Sequence, residues 1–283
     1  MSAVNKREIV LLMKQIEKKE GKGSIYTIGG DDKLYIPRWS TGIDEFDNIV
    51  GGGIPKGRVL ELSGAEGAGK TTLAYYLLAQ HGLSMFIDAE GTFDGGRAKV
   101  FGNKKGRLFI RRPECGEEVI DLLLKFGKAG MPIIVVDSIP SMVPRELDEG
   151  ADPNKYGRIG AVSGLLSRWL PSVHKRIEKS GTTIVLLNQL RDKFGGVIAF
   201  GDNTDTPGGR CLKHTCSLRI KVGRRGWIEG KRGKRIGQLI KLRVIKSKVS
   251  SPQGECEIPF LFDRGFVTHA ELKDIRKELK LSE

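Results

Sequence analysis

The sequence predicts an α/β fold with three layers and a mixed, mostly parallel sheet. Through about residue 190, short apolar segments alternate with amphipathic helical segments, which is typical of parallel strands covered on both faces. From about residue 215, apolar residues alternate with polar or basic ones, which indicates antiparallel strands with one solvated face. We therefore expect a parallel core with an antiparallel extension, preceded by an N-terminal helix and extended segment and followed by a short C-terminal helix.

The N-terminal segment predicts one isolated helix. Between residues 5 and 20 the apolar positions recur at helical spacing, at Ile9, Leu12, Met13 and Ile16. A glycine-rich, extended stretch follows. Because a lone amphipathic helix cannot bury its apolar stripe by itself, we expect it to pack on its own chain or on a neighbouring subunit. The residues leave both alternatives open.

The elements of the core follow from apolar runs and helical stripes. Ser40 and Thr41 precede acidic residues, which predicts a capped helical turn ending at Gly51. Strands are expected at 59–62, 84–88, 108–110, 133–137, 183–187, 218–222, 239–245 and 257–262. A helix over 157–179, with a kink at Pro171, is expected to bury Val162, Leu165, Leu166, Trp169, Val173 and Ile177. Residues 223–235 are expected to be rich in turns.

A glycine-rich turn between a strand and a helix carries the strongest motif in the chain. It fits the pattern G-x-x-x-x-G-K-[ST] with Gly64, Ala65, Glu66, Gly67, Ala68, Gly69, Lys70 and Thr71. Such a turn points backbone N–H groups at phosphates, and the helix N-terminus adds partial positive charge. Lys70 supplies a cation for the β- and γ-phosphates, and Thr71 supplies a hydroxyl ligand for Mg²⁺. With Thr72 beside them, these residues predict a nucleoside triphosphate site that uses ATP and Mg²⁺.

Three further polar residues follow buried strands. Because ligands of such sheets lie at the carboxyl ends of strands, Glu90, Asp137 and Gln189 are expected to converge with the phosphate lysine. Asp137 has the form of an aspartate that holds Mg²⁺; a helix cap or turn residue is the alternative. Glu90 is a candidate to activate water, and Gln189 a candidate to sense a γ-phosphate. For both, a solvated strand end is the alternative.

Charge and two long loops indicate a nucleic-acid partner. The net charge of +14 favours a polyanion, although basic surfaces also serve solubility. The polar loops at 145–158 and 190–210 combine basic and aromatic side chains, which suit DNA binding; plain surface loops are the alternative. Their candidate DNA-binding residues are Lys155, Tyr156, Arg158, Arg191, Lys193, Phe194 and Arg210.

Composition argues against several other classes of protein. No apolar run reaches the roughly 18 residues of a membrane span, so no membrane partner is expected. The four cysteines lack the spacing of a disulfide framework, which predicts reduced thiols in a cytosol-like compartment. Cys211, His214 and Cys216 are spaced poorly for a metal chelate and are expected to pack as ordinary side chains.

These motifs, in this order, resemble the bacterial RecA-type DNA recombinase family. The similarity runs from about residue 12 to 266. The matching stretches are QIEKKEGKGSI, STGIDEFD, GRVLELSGAEGAGKTTL, FIDAEGTFD, IIVVDS, LLNQLRDKFG, TPGGRCLK and RVIKSKVSSP. The resemblance implies a RecA-like ATPase core over 39–266, a subunit-packing segment over 1–38 and a short C-terminal helix over 267–283. It also implies an ATP-dependent recombinase that forms helical filaments on single-stranded DNA and exchanges strands with a duplex, in the cytoplasm of a bacterium or a phage-infected host.

The resemblance also assigns roles to single residues. Glu90 matches the water-activating residue, Asp137 the Mg²⁺ aspartate, and Gln189 the amide that links the γ-phosphate to the second DNA loop. Asp94 matches an aspartate near the adenine. Lys246 and Lys248 match two lysines that reach ATP on the adjacent subunit, the alternative being two solvated lysines. The glycines of TPGGR, Gly208 and Gly209, belong with Arg210 to the second DNA loop.

The chain departs from the family pattern at several positions. Arg97 and His214 replace aromatic residues at the adenine and at the subunit interface, and Ala161 replaces a basic DNA contact. The C-terminal domain and acidic tail of bacterial members are expected to be missing, which would alter duplex capture. An accessory DNA-binding ATPase without strand exchange is the main alternative function, and a ring helicase is a more distant one.

Overall fold

The computed structural model describes residues 5–21, 25, 35–148, 158–192, 204–250 and 254–278. It divides into two compact units, residues 1–37 and 38–283. The first unit contains helix α1, Lys6–Glu20, in which the side chain of Asn5 accepts a hydrogen bond from the backbone of Glu8. Gly21 ends the helix at a φ of 101°. The predicted helix is thus confirmed, and Ile9, Leu12 and Ile16 of its apolar stripe are exposed.

The second unit contains the remaining elements. Its strands are β1 Arg38–Trp39, β2 Ile54–Pro55, β3 Val59–Gly64, β4 Ser84–Asp88, β5 Leu108–Arg111, β6 Ile133–Asp137, β7 Thr183–Gln189, β8 Arg191–Asp192, β9 Thr204–Asp205, β10 Leu218–Glu229, β11 Arg235–Ser247, β12 Glu255–Leu261 and β13 Gly265–Phe266. Its helices are α2 Asp44–Ile49, α3 Lys70–Ala79, α4 Gly95–Val100, α5 Gly116–Ala129, α6 Arg145–Asp148, α7 Arg158–Ser180, α8 Gly209–Thr215 and α9 His269–Glu278.

One nine-stranded sheet organises this unit, in the order β13-β12-β11-β10-β3-β7-β6-β4-β5. The strands from β10 to β5 run parallel to one another, whereas β11, β12 and β13 add antiparallel neighbours at the other edge. The phosphate-loop strand β3 therefore lies between the parallel strand β7 and the long hairpin β10–β11. The mixed, mostly parallel sheet predicted from the sequence is confirmed.

Helices cover both faces of the sheet. In β6, Ile133 and Val135 join the core formed with α3, whereas Ile134 and Val136 join the core formed with α5 and α7. Every residue of β6 is buried, because each face of the strand packs against a helical layer. This arrangement gives the three layers that the sequence predicts. Among the described residues, no helix is long and apolar enough to cross a membrane.

The predicted cap of the first core helix is wrong. Helix α2 begins after Ile43, whose side chain makes no capping hydrogen bond. The hydroxyls of Ser40 and Thr41 instead donate to the carboxylate of Asp47, at 2.6 and 2.7 Å. The buried carboxylate of Asp47 satisfies these hydroxyls from within the helix, so the loop is fixed without an N-cap.

Two other local expectations are corrected. Residues 223–229 continue strand β10 instead of forming turns, and the chain reverses only near residues 230–234. The Trp227 ring lies against the guanidinium groups of Arg224 and Arg235, which stabilises this extension of the hairpin. In α7, Trp169 is 40% exposed and Leu170 takes the buried position.

Candidate nucleotide site and DNA interface

The glycine-rich turn is shaped by the strands that flank it. A Cβ on Gly64 would lie 2.2 Å from the carbonyl oxygen of Val222 in β10, so only glycine fits this close approach. Gly69 is the N-cap of α3 and has a φ of 99°, a conformation that other residues rarely adopt. The turn therefore delivers the N-terminus of α3, with its free N–H groups, at the carboxyl end of β3.

Lys70 and Thr71 occupy the first turn of α3. The Lys70 ammonium donates to the carbonyl oxygens of Gly64 and Ala65, at 3.0 and 2.8 Å. Burial lowers the pKa of Lys70, while the carboxylates of Asp137, Glu90 and Glu66 act to raise it. The lysine is thus folded back on its own loop, where the field of these carboxylates favours its charged form.

The Thr71 hydroxyl donates to the Asp137 carboxylate at 2.8 Å, joining α3 to the end of β6. Asp137 is only 3% exposed. Burial raises the pKa of Asp137 to about 6, and nearby Glu90 and Asp88 also raise it, whereas the Thr71 hydrogen bond and Lys70 lower it. A buried carboxylate beside a hydroxyl is a pair of hard oxygen ligands whose charge a divalent cation would compensate. The residues present therefore fit Mg²⁺.

Glu90 is exposed in the turn after β4. Its backbone N–H donates to the carbonyl oxygen of Asp137 at 3.0 Å, so this turn is fixed to the end of β6. Asp88, which sequence reasoning missed, shapes the same turn: its buried carboxylate accepts from the backbone of Thr92 and Phe93 and from the Arg112 guanidinium. Its position as the last residue of an apolar strand was the available signal.

Gln189 ends β7 directly beside the glycine-rich turn. It is the sheet partner of Gly64, and the backbone of Leu190 donates to the Gly64 carbonyl at 3.3 Å. The structure thus brings Lys70, Asp137, Glu90 and Gln189 to one edge of the sheet, as the strand ends predict.

A cleft of about 350 Å³ opens beside the phosphate turn. Besides residues 67–72, it is lined by Arg97, Arg224, Trp227, Gln238, Phe260 and Phe262. The Arg97 guanidinium donates to the Thr72 hydroxyl at 3.3 Å. Arg97 stands where the family pattern has an aromatic residue, and Trp227 and Phe262 supply aromatic surface to the same cleft. Sequence reasoning missed both, because hairpin pairing across β10, β11 and β12 brings them here.

Comparison with known proteins decides the family. Residues 7–267 match the family model described as the RecA N-terminal domain. Protein RecA of Aquifex aeolicus is 34% identical over 281 residues, covering 97% of this chain and 80% of that protein. Protein RecA of Mycoplasma mycoides is 36% identical over 279 residues, covering 96% and 79%. Protein RecA of Rhodopirellula baltica is 35% identical over 275 residues, covering 95% and 72%. The chain belongs to the RecA family.

Membership of the RecA family confirms the function expected from the resemblance. The chain is an ATP-dependent DNA recombinase with DNA-dependent ATPase activity. The match spans both the phosphate turn and the antiparallel extension, so it covers every element of the site described above.

Asp94, expected near the adenine, caps α4 in this RecA-family chain. Its carboxylate accepts from the backbone of Gly96 and Arg97, at 2.8 and 3.2 Å. The cap thus fixes the backbone of Arg97, whose side chain lines the cleft. The structure therefore gives Asp94 a local role, and a contact with adenine stays a prediction.

Lys246 lies near the end of β11 and Lys248 directly follows the strand, and both contact the C-terminus of α8. The Lys246 ammonium donates to the carbonyl oxygens of Lys213 and His214, and to that of Cys216 at 2.8 Å. Lys248 donates to the carbonyl oxygen of His214 at 2.5 Å. Burial and the neighbouring Lys248 charge lower the pKa of Lys246. The two cations thus cap α8, and the lining of the cleft does not include them.

The RecA-type DNA loops are described only in part. Lys155, Tyr156, Lys193 and Phe194 lie outside the described residues, as do the side chains of Arg158 and Arg191. Gly208 and Gly209 begin α8 with φ values of 106° and 70°. A Cβ on Gly208 would lie 2.5 Å from the Leu212 side chain, so glycine lets this helix start against α7. Arg210 is exposed on α8.

Proposed function

We propose that this chain binds ATP with Mg²⁺ in the cleft at the glycine-rich turn, assembles as a helical filament on single-stranded DNA, and pairs that strand with a homologous duplex. The observation that carries the proposal is the convergence of a phosphate turn, a buried carboxylate and an amide at one sheet edge. Gln189 pairs with Gly64 there and also begins the segment that leads to α8. In this proposal the end of β7 therefore contributes both to the nucleotide site and to the DNA-binding segment.

In this proposal the chain's own residues divide the work of hydrolysis. The backbone of residues 64–69 and the Lys70 ammonium hold the phosphates, and Lys70 leaves its carbonyl contacts to do so. Thr71 and Asp137 hold Mg²⁺, which neutralises phosphate charge when bound. Glu90 accepts a proton as a water molecule attacks the γ-phosphorus, and ADP leaves. Thr72 and Asp94 contact the rest of the nucleotide.

The partners follow from charge and from the family. The net charge of +14 supports binding to both single-stranded and double-stranded DNA. Contacts to DNA are assigned to Lys155, Tyr156, Arg158, Arg191, Lys193, Phe194, Gly208, Gly209 and Arg210. Lys246 and Lys248 reach ATP bound to the adjacent subunit of the filament. The setting is the cytoplasm of a bacterium or of a phage-infected host.

The coupling role of Gln189 gives the direct test. Gln189→Ala removes the amide while leaving the phosphate turn intact. We expect it to bind ATP with unchanged affinity but to lose the stimulation of hydrolysis by single-stranded DNA. Gln80→Ala, which removes an exposed glutamine at the end of α3, is the matched control and should behave as the wild type. Full DNA stimulation in Gln189→Ala would overturn the coupling.

A further inference from the structure

We propose that a buried polar cluster, defined as Glu61, Asn188, Thr206 and Arg219, is a positioning unit that fixes Gln189 and the start of α8 relative to the glycine-rich turn. In this role the cluster makes DNA affinity depend on the bound nucleotide. The inference rests on the proposed function, since it names the residues through which the nucleotide and DNA sites of that function communicate.

Glu61 is the centre of the cluster. It lies on β3, three residues before Gly64, and its side chain is fully buried. One carboxylate oxygen accepts from Nε of Arg219, its sheet partner on β10. The other accepts from the side-chain amide of Asn188 on β7, at 2.8 Å. The same carboxylate therefore links the three central strands just before the phosphate turn.

The cluster also holds the chain where it returns from β7 to α8. The Asn188 amide donates to the carbonyl oxygen of Pro207 at 2.8 Å, and Nη2 of Arg219 donates to the Thr206 hydroxyl at 3.1 Å. Thr206 is only 7% exposed. Asn188 and Arg219, the two partners of the Glu61 carboxylate, therefore hold the chain both where it leaves β7 and where it enters α8.

Gln189 is tied to the cluster through its backbone. Its N–H donates to the side-chain oxygen of Asn188 at 3.0 Å. The Asn188 side chain therefore contacts Gln189, Glu61 and Pro207 at once, and a shift of Gln189 toward or away from the nucleotide changes the position of Pro207. Because a fully hydrogen-bonded buried network holds one arrangement of its members, such a shift would be passed to α8 instead of being absorbed locally.

Stability alone does not account for this arrangement. A buried ion pair gains little over well-packed apolar residues of similar volume, because desolvation offsets its attraction. A cluster that served packing alone could be apolar, like the buried Val59 two residues earlier on the same face of β3. What the polar groups add is a fixed geometry between β3, β7 and α8.

Thr206→Val tests the inference, since it keeps the side-chain shape and removes only the hydroxyl that Arg219 contacts. The affinity for a labelled oligo-dT is measured with a non-hydrolysable ATP analogue and with ADP, together with the affinity for each nucleotide. We expect nucleotide affinity to stay as in the wild type, while the ratio of the two DNA affinities falls by about tenfold. Thr206→Ser, which retains a hydroxyl, should restore the ratio.

The controls separate positioning from stability. Thr183→Val removes another buried threonine hydroxyl, at the opposite end of β7, where it donates to the Pro55 carbonyl at 3.2 Å. It should keep the wild-type ratio. Arg219→Lys replaces the planar guanidinium, which contacts Glu61 and Thr206 through two different nitrogens, with a single ammonium. It should lower the ratio as Thr206→Val does, and it serves as a second variant if Thr206→Val does not fold.

The outcomes distinguish the inference from the proposed function. A wild-type protein whose DNA affinity is equal with both nucleotides would overturn the proposed function itself. A wild-type preference for the ATP analogue that Thr206→Val and Arg219→Lys retain would overturn only the positioning role. An equal loss of the ratio in Thr183→Val would also overturn it, because the effect would then be one of general destabilisation.

Discussion

The two lysines at the end of β11 should have two separable effects, one on stability and one on catalysis. In the double variant Lys246→Ala/Lys248→Ala, the carbonyl oxygens of Lys213, His214 and Cys216 lose their ammonium donors. We expect helix α8 to be destabilised in the isolated chain. If the lysines also reach ATP on a neighbouring subunit, hydrolysis on DNA will fall far beyond what this loss of stability explains.

The size of the stability effect follows from the contacts. A cation at a helix C-terminus contributes about 0.3–1 kcal/mol at the surface and up to about 2 kcal/mol when partly buried. Lys246 is the more buried of the two cations, so the pair should contribute about 1–3 kcal/mol in total. For a chain of this length that corresponds to a decrease in Tm of roughly 2–12 °C. Such a protein remains folded at 25 °C.

The assay compares Tm without nucleotide with ATP turnover on single-stranded DNA. Lys241→Ala is the control, because Lys241 lies on the same strand and its ammonium pairs with the exposed Glu255 at 2.8 Å, where solvent screens the attraction. Lys241→Ala should turn over ATP normally. Normal DNA-stimulated turnover in the double variant would refute the role between subunits, and an unchanged Tm would refute the cap.

Two further substitutions test the site and the core. Glu90→Gln should lower DNA-stimulated hydrolysis by about 100- to 10,000-fold with ATP binding retained. Glu229→Gln, at an exposed acid at the end of β10, should change hydrolysis little, and equal losses in the two variants would contradict the role of Glu90. Burial, aided by Lys56, lowers the pKa of His81 from its ordinary 6.5, and its Nε2 finds no hydrogen-bond partner among the residues that the structure describes. Because the folded chain binds a proton at His81 less readily than the unfolded chain, the free energy of unfolding falls as the pH drops below 6.5. The Tm of His81→Phe should therefore decrease less than that of the wild type between about pH 7 and pH 5.

The parts of the site that follow from local order could be predicted from the sequence. The glycine-rich turn is a contiguous motif, and Glu90, Asp137 and Gln189 each follow a short apolar run. Parallel strands present their carboxyl ends at one edge, so the order of these residues along the chain was enough to place them together.

The parts that depend on pairing between distant strands could not be predicted. Residues 223–229 carry glycine and arginine and look like a turn, but the Arg224 and Trp227 contact and pairing with β11 hold them extended. Glu61 lies within the apolar run 59–62 that predicts β3, although it is a fully buried acid. The only sign in the sequence of a buried polar cluster is a single charged residue in an apolar run, and its partner Arg219 lies far along the chain.

The most direct test of the proposed function is ATP hydrolysis by the wild-type chain with and without single-stranded DNA, with the same samples imaged by electron microscopy. We expect DNA-stimulated hydrolysis together with helical filaments, and loss of hydrolysis in Lys70→Ala. Nucleotide binding with neither stimulation nor filaments would contradict it.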